Sequence, residues 1–148
     1  MAGYSGTPLV DKLGIRPGSR LALLSPPSDL ALDLPPGVAV AAQLRGQFDV
    51  VMLFTVQRAE LQRRIGRIGE AIFPAGAAWI AFPKRAARMP TDMTEHVVRE
   101  VALPLGLVDT KVCAVDERWT GLKLVWRKER REKSPPATGP GPQRGPGS

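Results

Sequence analysis

Two short apolar runs with one long helical pattern between them constrain this chain most. Residues 48–54 read FDVVMLF and residues 77–82 read AAWIAF. Each has the length of a strand, and neither alternates with polar residues. That is how strands covered on both faces of a parallel sheet read. Between them, Leu61, Ile65, Ile68 and Ile72 recur at intervals of four, three and four, which draws one apolar stripe on a helix. A strand, a helix and a strand in this span make a βαβ unit, and such units cross over right-handed in nearly every case. The expected fold class is α/β: a three-layer, Rossmann-like sheet, mostly parallel.

The flanking segments extend the pattern. Thr7-Pro8 opens a short helix that Gly14 closes, with Leu9, Val10 and Leu13 on its apolar side. Residues 21–24 read as a first strand, followed by Ser25-Pro26-Pro27-Ser28-Asp29. Residues 30–34 are predicted to be a short helical piece stopped by Pro35-Pro36-Gly37, and residues 38–42 a second strand. Downstream, Asp92 is predicted to cap a helix, with Glu95 three residues later bonding back. Residues 108–116 and 122–127 are strands on a short connection, hence an antiparallel hairpin. In the second, Leu122, Leu124 and Trp126 alternate with Lys123, Val125 and Arg127, as at a sheet edge.

A chain of 148 residues suits one domain with a real core. Residues 1–130 are expected to be that single α/β domain. Residues 131–148 form a Pro/Gly-rich tail with too little apolar surface to become ordered. The net charge is +7, but from residue 128 onward there are five basic and two acidic residues. Residues 1–127 carry 16 basic and 12 acidic groups, a mild +4. This permits weak attraction of nucleic acid or another polyanion to the basic loop and tail. Aromatic residues are 5% of the chain and are not interleaved with basic ones, so a single-strand stacking platform is not expected.

The lone Cys113 and lone His96 exclude an internal disulfide and multi-thiolate or His-rich metal sites. No apolar run approaches the roughly 18 residues of a membrane span. No basic segment leading into an apolar one opens the chain. A cytoplasmic protein without a membrane partner is expected.

The turn after the first strand governs the cofactor expectation. In dinucleotide and S-adenosylmethionine folds it is glycine-rich, so that the backbone and a helix N-terminus approach the ligand. Here it holds two prolines, which lack an N–H, and Asp29, which repels a phosphate. The expectation is therefore no cofactor. There is no G-x-S-x-G elbow, no phosphate loop and no histidine paired with a nucleophile. Ligand crevices in open α/β sheets lie at the carboxyl ends of the strands. The loop at residues 83–90 follows such an end and carries Lys84, Arg85 and Arg88. Ser25, Phe54, Lys84, Arg85, Asp92, Asp116 and Trp119 are the candidate ligand-binding residues at or near that edge. Arg63, Arg64 and Arg67 read as a solvated helix face, and His96 as a surface residue.

Three segments carry a family resemblance: GYSGTPLVDKLGI at residues 3–15, FPKRAARMPTDMTEHVVREVA at 82–102 and VDTKVCAVDERWTGLKLVWR at 108–127. They resemble the domain-of-unknown-function family 3052, small bacterial proteins with no assigned activity. The resemblance spans about residues 3–130. The family's Pro-Lys, Thr/Ser-Asp and Trp-Ser/Thr-Gly elements stand here as Pro83-Lys84, Thr91-Asp92 and Trp119-Thr120-Gly121. They carry over as family marks, without a catalytic role. A looser similarity, in element order, is to methyltransferases, whose doubly wound sheet ends with an antiparallel insertion. The leading expectation is a non-catalytic Rossmann-like domain that binds an unidentified small ligand or protein partner. One alternative is an S-adenosylmethionine-binding, methyltransferase-like enzyme with an altered pocket, using Lys84, Asp92 and Asp116. The other is weak nucleic-acid or polyanion binding.

Overall fold

The computed structural model describes residues 8–131. The expected Thr7 cap and the Pro/Gly-rich tail from residue 132 lie outside the described residues. The described strands are β1 (Arg20–Leu24), β2 (Ala39–Ala41), β3 (Val50–Phe54), β4 (Ala77–Pro83), β5 (Leu107–Ala114) and β6 (Trp119–Trp126). They make one sheet in the order β2-β1-β3-β4-β6-β5. The first four run parallel, and β6 inserts antiparallel between β4 and β5. The described helices are α1 (Leu9–Leu13), α2 (Arg58–Ile72), α3 (Glu95–Ala102) and α4 (Lys128–Arg131). This is a Rossmann-like, methyltransferase-like α/β sheet. No helix among the described residues is long and apolar enough to cross a membrane.

Every residue of β3 and β4 is buried, as their unbroken apolar runs require. One face of the sheet receives the apolar stripe of α2, with Val98 and Ala102 of α3, against Val51, Leu53, Ile80, Leu122 and Trp126. The other face packs α1 and Leu30, Leu32 and Leu34 on Met52, Phe54, Trp79 and Trp119. Trp79 joins this second layer to the sheet by a hydrogen bond. Its indole N–H donates to the carbonyl of Leu13 at 2.9 Å, with both residues fully buried. Across from it, β6 passes so close that a Cβ at Gly121 would lie 3.1 Å from the Trp79 ring.

Three expectations are corrected. Residues 30–34 are not helical. Leu30, Leu32 and Leu34 are half-buried while Ala31 and Asp33 are exposed, the period of an extended chain. A following proline biases its predecessor away from helical torsions, and the prolines on both sides favour extended chain here. Helix α3 starts at Glu95 rather than after Asp92, because the Thr94 hydroxyl accepts the Val97 N–H at 3.1 Å. Strand β6 is interior and β5 is the edge. The alternation in β6 arises because α2 and α3 cover one of its faces, while Lys123 and Val125 lie half-buried on the other. Residues 128–131 close the described chain as a single helical turn, α4.

Candidate functional site at the carboxyl edge

Because β1 to β4 are parallel, Leu24, Ala41, Phe54 and Pro83 all end at one edge of the sheet. The chain moves outward from β1 to β2 on one side, and from β3 to β4 on the other. The order therefore reverses between β1 and β3, and ligands of open α/β sheets bind at such a point.

The turn leaving β1 is sharp although it has no glycine. Ser25 is exposed and has φ of 55°. A non-glycine residue in this region is uncommon and stores about 1–3 kcal/mol of strain. Clefts open on both sides of the turn. In one, of about 240 Å³, Leu24 and residues 42–44 face Arg63, Arg64 and Arg67 of α2. Arg67 donates to the Leu44 carbonyl at 3.4 Å, and Arg64 lies 3.6 Å from Glu60. The other, of about 330 Å³, lies among Pro27, Ser28, Asp29, Met89, Arg118 and Trp119.

At the end of β3, Phe54 meets Trp119 edge to face, with ring centroids 5.3 Å apart. Both rings are buried and form the floor under the edge, where Trp119 also lines the cleft beside Asp29 and Arg118. Next in the chain, the buried Thr55 hydroxyl donates to Glu60 at 2.7 Å and accepts the Gln57 N–H at 3.1 Å. Asp92 accepts the Arg58 N–H at 2.7 Å, while the Thr91 hydroxyl donates to the Val56 carbonyl at 2.7 Å. The loop after β4 is thereby fastened over the junction of β3 and α2, and Asp92 acts as a cap on α2.

Asp116 also serves the backbone. Its carboxylate accepts the N–H groups of Arg118 at 2.8 Å and Trp119 at 2.9 Å, which shapes the tip of the β5–β6 hairpin. That tip is held at two points. The Lys84 N–H donates to the Arg118 carbonyl at 2.7 Å, and the Arg118 guanidinium pairs with Asp29 in the turn after β1. Pro83 pairs with Trp119 across the β4–β6 ladder. Pro83-Lys84, Thr91-Asp92 and Trp119-Thr120-Gly121 thus all sit at or beside this one edge.

Beyond β4, half-buried Lys84 lines two larger clefts. One of about 780 Å³ lies toward α1 and the hairpin tip. One of about 790 Å³ lies between the loop and the start of α3, and Arg85 lines it as well. Along α3, Glu100 takes Arg58 at 2.6 Å and His96 at 3.0 Å. The hydrogen bond from Arg58 outweighs desolvation and holds Glu100 below the usual carboxylate range. Arg99 bonds Asp109 at 3.0 Å and Glu95 at 2.9 Å. The Asp109 bond is the main reason that its guanidinium is held even more firmly charged than usual.

The candidates therefore separate. Ser25, Lys84 and Arg85 stand on open surface or clefts, Phe54 and Trp119 are core, and Asp92 and Asp116 bind backbone. Sequence reading missed Gln43 and the α2 arginines as cleft walls. The arginines were visible as residues off the apolar stripe, but nothing in the sequence placed residues 42–44 opposite them.

No protein-family profile matches the chain, and no curated protein does. Solved structures match its fold. Magnesium protoporphyrin IX methyltransferase from Synechocystis PCC 6803 with bound SAM is 11% identical, with a TM-score of 0.52 over 79% of this chain and 74% of that one. A TehB-like SAM-dependent methyltransferase from Corynebacterium glutamicum is 11% identical, with a TM-score of 0.54 over 80% and 85%. A possible exported protein from Bordetella parapertussis is 15% identical, with a TM-score of 0.54 over 80% and 64%. The chain spans 51% and 74% of the length of two Synechocystis methyltransferase structures that it matches.

At these identities the likeness establishes the fold. It also corrects the leading expectation of a non-catalytic binding domain in favour of the methyltransferase-like alternative, because the solved structures sharing the fold include a methyltransferase with bound SAM and a SAM-dependent methyltransferase. The expectation rested on the two prolines and Asp29 in the turn after β1; that turn is nevertheless sharp, with Ser25 itself in the left-handed region.

Proposed function

We propose that this chain is a methyltransferase-like enzyme that binds S-adenosylmethionine in an altered pocket at the carboxyl edge. The observation that carries the reading is the strand order. It reverses between β1 and β3, with β6 inserted antiparallel, in a fold shared with a methyltransferase holding SAM.

The residues at the reversal fit such a group in their donor chemistry. Arg63 and Arg64 suit its carboxylate. Ser25 and Gln43 suit the ribose hydroxyls, and half-buried Leu44 offers apolar contact to the purine. Pro26 and Pro27 give no N–H, so side chains take over work that a glycine-rich turn assigns to backbone. When bound, the group supplies an activated methyl. The chain's contribution is to hold and orient it, and on the far side of the turn the Arg118–Asp29 pair ties the hairpin tip to the segment after β1. A cytoplasmic place of action and membership of the domain-of-unknown-function family 3052 belong to the same reading.

Titration calorimetry with S-adenosylmethionine and its demethylated product tests it. Saturable micromolar binding is expected, with a melting point that rises as ligand is added. Absence of heat and of any melting shift with both compounds, up to millimolar concentration, would overturn it.

A further inference from the structure

We propose that the cleft between the β4 loop and the start of α3 is a binding site for a small organic anion with an apolar, aromatic body. Its volume of about 790 Å³ falls within the roughly 300–1,000 Å³ of small-molecule sites. The floor is apolar: Phe82, Pro83 and Met93 are buried and Met89 half-buried. Thioether sulfur makes favourable contacts with aromatic rings.

Charge selects the polar end of the ligand. Lys84 and Arg85 both line the cleft, and neither joins an ion pair among the described residues. The carboxylates on the α3 side of this cleft already have partners. Glu95 is held by Arg99, and beside the cleft Asp109 is held by Arg99 and Glu100 by Arg58 and His96. Two cations without an ion pair among the described residues therefore border an apolar floor whose one lining carboxylate is already paired, while the acids Asp33, Asp116 and Glu117 line the separate cleft on the other side of Lys84. Lys84 is half-buried there, and a partly desolvated cation gains most from an anion that arrives with it. Of the threonines in the cleft, Thr94 caps α3 and Thr91 bonds Val56, which leaves Thr120 to offer a hydroxyl to the ligand. A carboxylate on an aromatic ring satisfies cations and floor together; inorganic phosphate satisfies the cations alone.

This deepens the proposed function by naming the class of its second ligand. Only the ligand's role as substrate rests on that reading; the binding itself does not. The test uses the full chain with benzoate, salicylate and phenylacetate, with benzamide as the neutral counterpart and inorganic phosphate as the bare anion. Binding is followed by amide chemical shifts. At least one aromatic carboxylate is expected to bind about ten-fold more tightly than benzamide or phosphate. Lys84→Met combined with Arg85→Met should weaken it about ten-fold, while Arg88→Met, outside the cleft, should leave it unchanged.

Equal binding of benzamide, phosphate binding as tightly as the carboxylates, or an unaltered affinity in a folded double variant would each overturn the proposal. If the double variant fails to fold, the comparison of carboxylate with amide on the unaltered chain decides. S-adenosylmethionine titrated into the same samples separates the two readings. Failure there alone removes the proposed function and leaves this site standing.

Discussion

The carboxylate of Asp92 accepts the main-chain N–H of Arg58 at 2.7 Å, across 34 residues of chain. One bond thus caps α2 and ties the loop after β4 over the end of β3. Asp92→Ala should destabilise the fold by about 1 kcal/mol, the usual cost of losing a cap, and lower the melting temperature by a few degrees. Asp92→Asn keeps an acceptor and should recover most of the loss. Urea and thermal denaturation check both, and an unchanged midpoint for Asp92→Ala would remove the cap from this description.

Trp79→Phe should be more damaging. It leaves the buried Leu13 carbonyl without its donor, which costs about 1–3 kcal/mol before any packing loss. Equilibrium urea unfolding should show a lower midpoint at an unaltered slope. Because the lost bond anchors the end of α1, limited proteolysis should gain a cut near Gly14 that the unaltered chain resists. Equal resistance near Gly14 in both chains would contradict the assignment of Trp79 as the tie between the layers.

Lys123 gives the fold an alkaline signature. Burial, and after it repulsion from Lys111, pulls its ammonium below the ordinary lysine value. Between the lowered folded value and the ordinary unfolded one, the unfolded chain binds more protons, so stability rises with pH through that interval. Lys123→Met should stabilise the protein at neutral pH and flatten the alkaline rise. Urea midpoints measured from about pH 7 to about pH 11 resolve the two curves.

Cys113 should be a sluggish nucleophile. Burial raises its thiol above the ordinary value, only partly opposed by Lys12. Its alkylation by iodoacetamide near pH 8 should be slower than that of a free thiol, and denaturant should restore the rate. Fast reaction in the folded state would show that the side chain is open to solvent.

The parts of this fold legible in the sequence are those where burial writes a period. Residues 48–54 and 77–82 are apolar without interruption because both of their faces are covered, and the α2 stripe is the only pattern that buries Leu61, Ile65, Ile68 and Ile72 together. Residues 30–34 were misread because their period of two was hidden between prolines. Asp92 was misplaced because Thr91-Asp92-Met93-Thr94-Glu95 offers more than one cap, and only the docking of Asp92 onto Arg58 decides between them. The alternation in β6 reveals one wetter face, but not whether the strand has one neighbour or two. At the site, Lys84 and Arg85 were legible from their place after a central strand. The arginine wall was not, since it depends on which side of α2 meets residues 42–44.

The reversal between β1 and β3 is the proposed seat of an adenosyl ligand. Amide chemical-shift mapping of the full chain with S-adenosylhomocysteine tests it most directly. Saturable shifts concentrated at Ser25, Ser28, Gln43, Leu44 and Arg63 are predicted. An undisturbed spectrum at millimolar ligand, or shifts confined to the β5 edge far from Ser25, would contradict it.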